Sequence, residues 1–108
     1  MGRRESVIIM SGCAEVLIQM LSTDKGGRLT PIFVGYRPHF RVCGGDGEYL
    51  GVEFVDGPSG PVHPGETTSA TVKFMYEPQV SYESLTVGSE FEIMEGGKRV
   101  GTGKVTRT

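Results

Sequence analysis

Few residues in this sequence have the types and spacing that catalysis requires. Gly101-Thr102-Gly103-Lys104 contains the Gly-Lys pair of a phosphate-binding loop. Such a loop also needs a glycine five positions before that pair and a hydroxyl residue directly after it. Those positions hold Lys98 and Val105. We therefore expect a strand at this point of the chain, and no nucleotide site.

The histidines and cysteines form no recognisable catalytic or metal-binding set either. His39 and His63 lie on different predicted segments, and no cysteine or carboxylate has ligand-like spacing to either, so we expect no metal site. Cys13 and Cys43 do not have the spacing of a redox dithiol, and reduced thiols are favoured over a single disulfide. A nucleophile–histidine–acid set stays open, although no nucleophile-elbow motif supports it.

The stronger candidate is a short row of basic side chains. Arg37, His39 and Arg41 stand at i, i+2 and i+4, so on an extended chain they share one face about 13 Å long. Contacts from this row to phosphate groups would give salt-sensitive, sequence-independent RNA binding. A solvated surface and a protein contact are the alternatives. Glu90 and Glu92, also two residues apart, are interpreted as solvated carboxylates rather than as an acid–base pair.

Composition indicates one domain built from short strands. The chain has 108 residues, of which 37% are hydrophobic and 17 are glycine, a balance that suits strands and tight turns better than a helical bundle. The formal net charge of -2 predicts no partner, but the charges are unevenly placed. Basic segments at 25–41 and 98–107 flank a middle segment rich in carboxylates. No apolar run approaches the ~20 residues of a membrane span, and we expect a cytoplasmic protein.

Alternation of apolar and polar residues predicts where the strands lie. We expect strands at 14–21, 39–43, 49–55, 67–76, 90–94 and 99–106. Six or so short strands predict an all-β fold, a closed antiparallel β-barrel. We expect 14–108 to be this single domain and 1–13 to be an N-terminal extension. Core-facing side chains are predicted to include Phe33, Tyr36, Phe40 and Tyr76, and two glycines of the last strand are expected to allow close approach of a neighbour.

One stretch of the sequence is similar to a known family. Its residues are Gly26-Gly27-Arg28-x-Thr30-Pro31-x-Phe33-x-Gly35-Tyr36-Arg37-Pro38-x-Phe40. This pattern resembles the start of the C-terminal β-barrel domain of elongation factor Tu. Three further motifs resemble that domain in the same order along the chain: Ala14-Glu15-Val16, Pro64-Gly65-Glu66 and Glu95-Gly96-Gly97-x-x-Val100-Gly101-x-Gly103.

The resemblance implies a six-stranded antiparallel barrel without a nucleotide site. In the full factor this domain helps to hold the T-stem backbone of aminoacyl-tRNA and contacts the G domain and the exchange factor. By position, the RNA contacts that the resemblance implies are His39, Glu95 and Gly96. This chain departs from the family in having His39 where the family has glutamine, and Cys43-Gly44-Gly45-Asp46-Gly47 in place of a threonine-containing segment. We expect a detached barrel without a G domain.

These observations predict a non-catalytic binding module that uses no cofactor, nucleotide or membrane. A protein is the expected partner. The first alternative is a tRNA- or ribosome-associated accessory of translation, and the second is a small enzyme. The candidate contact residues are Arg37, His39, Arg41, Glu95, Gly96 and Lys98.

Overall fold

The computed structural model describes residues 12–108, and these form an all-β domain. Its elements are β1 (Cys13–Met20), a short 3-10 turn (Thr23–Lys25), β2 (His39–Val42), β3 (Leu50–Asp56), β4 (Thr67–Phe74), β5 (Glu90–Glu95) and β6 (Lys98–Arg107). All six predicted strands are present, each within a few residues of its predicted bounds. Most of the predicted extension, residues 1–11, lies outside the described residues. Within 12–108, no helix is long and apolar enough to cross a membrane.

The six strands close into an antiparallel barrel with the order β1-β4-β3-β2-β5-β6. Each strand has a neighbour on both sides, so closure removes the exposed sheet edges that invite pairing with other chains. The predicted fold class is confirmed. Closure also puts the carboxylate-rich strand β5 between β2, which carries Arg41, and β6, which carries four lysine and arginine residues.

The interior of the barrel is apolar and follows the alternation seen in the sequence. In β1, Val16, Ile18 and Met20 are buried, while Leu17 between them faces outward. At the centre, the rings of Phe40 and Phe91 stack with their centroids 3.9 Å apart. Residues at every second position therefore specify which side of each strand faces the core.

The two glycines of β6 accept close neighbours, as the sequence predicted. A Cβ atom at Gly103 would lie 2.6 Å from Cζ of Phe91 and 2.8 Å from the backbone oxygen of Leu17. At Gly101 it would lie 2.9 Å from the backbone oxygen of Gln19. The Gly-Thr-Gly-Lys segment is thus part of a strand that has no room for side chains at two positions.

Two aromatic residues predicted to face the core lie at the surface instead. Phe33 is 57% exposed because its neighbour Ile32, which forms a β-bridge with Val62, takes the inward position. Tyr76 is 49% exposed because β4 ends before it, and Tyr82 from the following loop stacks on Phe74 at that end of the core. The prediction was wrong for both. Tyr36 packs against the core while partly buried, and Phe40 is fully buried.

Candidate partner-binding face

The register of β2, β5 and β6 brings charged side chains together on the outside of the barrel. Arg41 in β2 lies opposite Glu92 in β5, which in turn lies opposite Thr102 in β6. Because Phe40 and Phe91 point inward, Arg41 and Glu92 point outward. The two basic segments of the sequence therefore meet across an acidic strand.

Glu92 accepts hydrogen bonds from two arginines on different strands. Its Oε1 atom lies 3.0 Å from Nε and 2.7 Å from Nη2 of Arg41, and its Oε2 atom lies 3.2 Å from Nη1 of Arg99. The hydrogen bonds from Arg41 are the main reason why the pKa of the Glu92 carboxyl is held below its usual value. The carboxylate is thus ionised, and it offsets part of the positive charge of both arginines.

Aromatic side chains border this ion pair. Cζ of Arg41 lies 5.7 Å from the centroid of the Tyr49 ring, and the centroids of His39 and Tyr49 are 5.9 Å apart. The Tyr76 ring covers Gly51, where a Cβ atom would lie 2.4 Å from the ring. Since Gly51 is the cross-strand partner of His39, Tyr76 borders the same surface. We call this surface the tyrosine–arginine face; its residues are His39, Arg41, Tyr49, Tyr76, Glu92 and Arg99.

Arg37, the remaining member of the predicted basic row, also faces a carboxylate. Its Nη2 atom lies 3.7 Å from Oε1 of Glu53 in β3, and its side chain is 62% exposed. This is a long, solvent-screened pair that contributes little to stability. All three predicted side chains lie on the outside of the barrel, but the two arginines have acidic neighbours that the sequence alone did not reveal.

The predicted contact residues of the last hairpin form internal contacts. Glu95 accepts hydrogen bonds from the guanidinium of Arg28 and the hydroxyl of Tyr36. Nζ of Lys98 lies 3.4 Å from the backbone oxygen of Gly27, to which it donates a hydrogen bond. These contacts attach the 26–36 loop to the β5–β6 hairpin. Gly96 lies exposed in the turn with φ +60°.

The Arg28–Tyr36–Glu95 cluster is partly buried. Cζ of Arg28 lies 5.1 Å from the centroid of the Tyr36 ring, and Nε of Arg28 donates to the backbone oxygen of Thr30 at 3.1 Å. Burial and the hydrogen bond to Glu95 raise the pKa of the Tyr36 hydroxyl well above its ordinary value. This cluster positions the loop, and Glu95 is its centre.

The histidines and cysteines of residues 12–108 are not grouped with one another or with acidic side chains. Among residues 12–108, no three or more histidine, cysteine or acidic side chains are placed to hold a metal ion. No hydrogen bond between residues of this range joins the imidazole of His39 or His63 to a nucleophile or a carboxylate. Cys13 and Cys43 are free thiols.

Sequence reasoning missed three charged participants in these clusters, Arg28, Glu92 and Arg99, and three tyrosines, Tyr36, Tyr49 and Tyr76. The charge pattern along the chain was the available signal, since basic segments flank an acidic one. The charge pattern does not say which residues touch, because that depends on the strand order and the register. Arg41 and Glu92, for example, are in contact although they lie 51 positions apart in the sequence.

A closed six-stranded antiparallel barrel with an apolar interior and charged side chains on its outer surface defines an all-β domain. Residues 13–108 match the family model of the elongation factor Tu C-terminal domain, and the chain belongs to this family. The predicted resemblance is confirmed over nearly the whole chain. The family is one of non-catalytic β-barrel domains, which supports a binding module of the translation-factor type.

Proposed function

We propose that this chain is a cytoplasmic binding module that engages a protein partner through the tyrosine–arginine face. The observation that carries the proposal is the composition of that face. It presents two partly exposed tyrosines, Tyr49 at 39% and Tyr76 at 49%, beside a histidine and two arginines. Tyrosine and arginine are enriched at the centres of protein interfaces and dominate their binding energy. In this proposal 14–108 is the binding domain and 1–13 is an extension.

Charge supports a protein partner over RNA. Phosphate binding depends on cations whose charge is available to the nucleic acid. Here Glu92 offsets the charge of Arg41 and Arg99, and Glu53 lies near Arg37. A phosphate group brought to Arg41 or Arg99 would meet the Glu92 carboxylate at close range. A protein surface with mixed polar and aromatic groups meets no such repulsion.

The alternatives have weaker support. A tRNA contact by the residues that the resemblance implies would use His39, Glu95 and Gly96, but Glu95 is held by Arg28 and Tyr36. A small enzyme would need a nucleophile, base and acid within hydrogen-bond reach, and the described histidines lack such partners. The binding module is therefore the function that the arrangement favours.

Site-specific crosslinking in cell extract tests the proposal. A photoreactive phenylalanine analogue is placed at position 76 on the face, and in a matched protein at position 87. Val87 is exposed and is not a member of the face; its neighbour Gly88 donates a hydrogen bond to Val105, six residues along β6 from Arg99.

We expect a discrete protein adduct from position 76 that survives nuclease treatment and is absent from position 87. The adduct should disappear when Tyr49 and Arg41 are both replaced by alanine. An adduct that nuclease removes would favour the RNA alternative. Equal labelling from both positions would refute the assignment of the face.

A further inference from the structure

Both oxygens of the Glu92 carboxylate are used by arginines from the strands on either side. Oε1 accepts from Arg41 at 2.7 and 3.0 Å, and Oε2 accepts from Arg99 at 3.2 Å. The Arg41 and Arg99 side chains remain 35% and 52% exposed. Arg41 and Arg99 are thus accessible to a partner molecule, and both are bound to the same carboxylate, that of Glu92.

We propose that Glu92 is a specificity-determining residue of the tyrosine–arginine face, and that it excludes nucleic acid by occupying Arg41 and Arg99. The inference rests on the proposed function, since it explains how a face with two arginines selects a protein partner. Specificity of this kind comes from an element that disfavours the wrong ligand rather than from a stronger contact with the right one.

The physical basis is competition for the same hydrogen-bond donors. A phosphate oxygen needs the guanidinium N–H groups that the Glu92 carboxylate already accepts from. The carboxylate is attached to the same chain, so its effective concentration near the arginines exceeds that of any dissolved RNA. If it is displaced, it remains close by as a negative charge that repels the phosphate. Arg41 holds the pKa of this carboxyl low, so the charge persists under ordinary conditions.

The test compares Glu92→Gln with Glu90→Gln in binding to a fluorescent RNA duplex. Glu90 lies on the outer face of the same strand, two residues away and opposite Lys104. Both substitutions remove one negative charge and keep the side-chain size, so any difference reports the position of the charge. Binding is measured by anisotropy at low and moderate salt, after thermal melting has verified that both proteins fold.

We expect Glu92→Gln to bind the duplex about tenfold more tightly than Glu90→Gln at about 50 mM salt. Two released arginines correspond to about two phosphate contacts, and at a slope of about -0.9 per contact this affinity falls roughly tenfold by about 200 mM salt. Glu92→Ala should behave in the same way. Adding Arg41→Ala and Arg99→Ala to Glu92→Gln should abolish the gain.

Two results would overturn the inference: equal affinities for the Glu92 and Glu90 variants, or a gain that persists without the two arginines. The crosslinking experiment is separate, because it uses the wild-type charges and asks which molecule occupies the face. Tight RNA binding by the wild-type protein would also overturn the inference. A missing protein adduct in the crosslinking experiment would refute the protein-binding proposal alone, and the comparison of variants would still measure the effect of Glu92.

Discussion

Gly103→Ala is expected to destabilise the barrel by about 2 kcal/mol, within the usual range for inserting a methyl group into a packed core. The new Cβ atom would lie 2.6 Å from Cζ of Phe91 and 2.8 Å from the backbone oxygen of Leu17. Neither neighbour can move easily. The Phe91 ring is fully buried and stacked on Phe40 at 3.9 Å, and the Leu17 oxygen belongs to β1, which is paired with β6 on that side.

The measurement is thermal unfolding followed by circular dichroism, with urea titration as a second readout. For a domain of this size, 1 kcal/mol corresponds to roughly 4–8 °C, so the Tm should fall by about 10 °C. Gly97→Ala is the matched control, because a Cβ atom there meets nothing within 4 Å and the residue has no positive φ. That variant should be neutral or slightly stabilised, since alanine restricts the unfolded chain. If both variants melt within about 2 °C of the wild type, the close-packing argument is wrong.

Two further predictions concern the Arg28–Tyr36–Glu95 cluster. Glu95→Gln removes the negative charge that accepts hydrogen bonds from Arg28 and Tyr36, and it should lower the free energy of unfolding by about 1 kcal/mol. Hydrogen exchange should become faster in the 26–36 loop alone, with the exposed Glu83→Gln as the control. Unchanged exchange in the loop would contradict the contact. The pKa of Tyr36 is raised above its ordinary 10.0, so the folded state keeps its proton more firmly than the unfolded state does. The stability that the Tyr36 hydroxyl contributes is complete below about pH 10 and declines as the pH rises further. In urea titrations at alkaline pH, a Tyr36→Phe variant should lose stability less steeply than the wild type. The same dependence of stability on pH in both proteins would contradict this prediction.

The sequence predicted the barrel well because the information needed is local. Alternation along β1 and β5 shows which side chains face inward, and the motif around Gly35 and Pro38 indicates the family. Tyr76 was misassigned because β4 ends two residues earlier, and a strand end is poorly marked by alternation alone. The Glu92 contacts were beyond prediction for a different reason. They depend on which strands become neighbours, and β2 and β5 are far apart in the sequence.

The strand order has a consequence for how the chain reaches this fold. The ring of strands closes through β1 and β6, where Glu15 pairs with Arg107, so the first and last strands must find each other across almost the entire chain. Contacts between such distant residues slow folding, because the entropy of a long loop is lost before any of them forms. Until β6 arrives, β1 and β5 each present an unpaired edge. During synthesis the barrel therefore cannot close before β6, Lys98–Arg107, has left the ribosome, and its exposure to aggregation lasts at least until then.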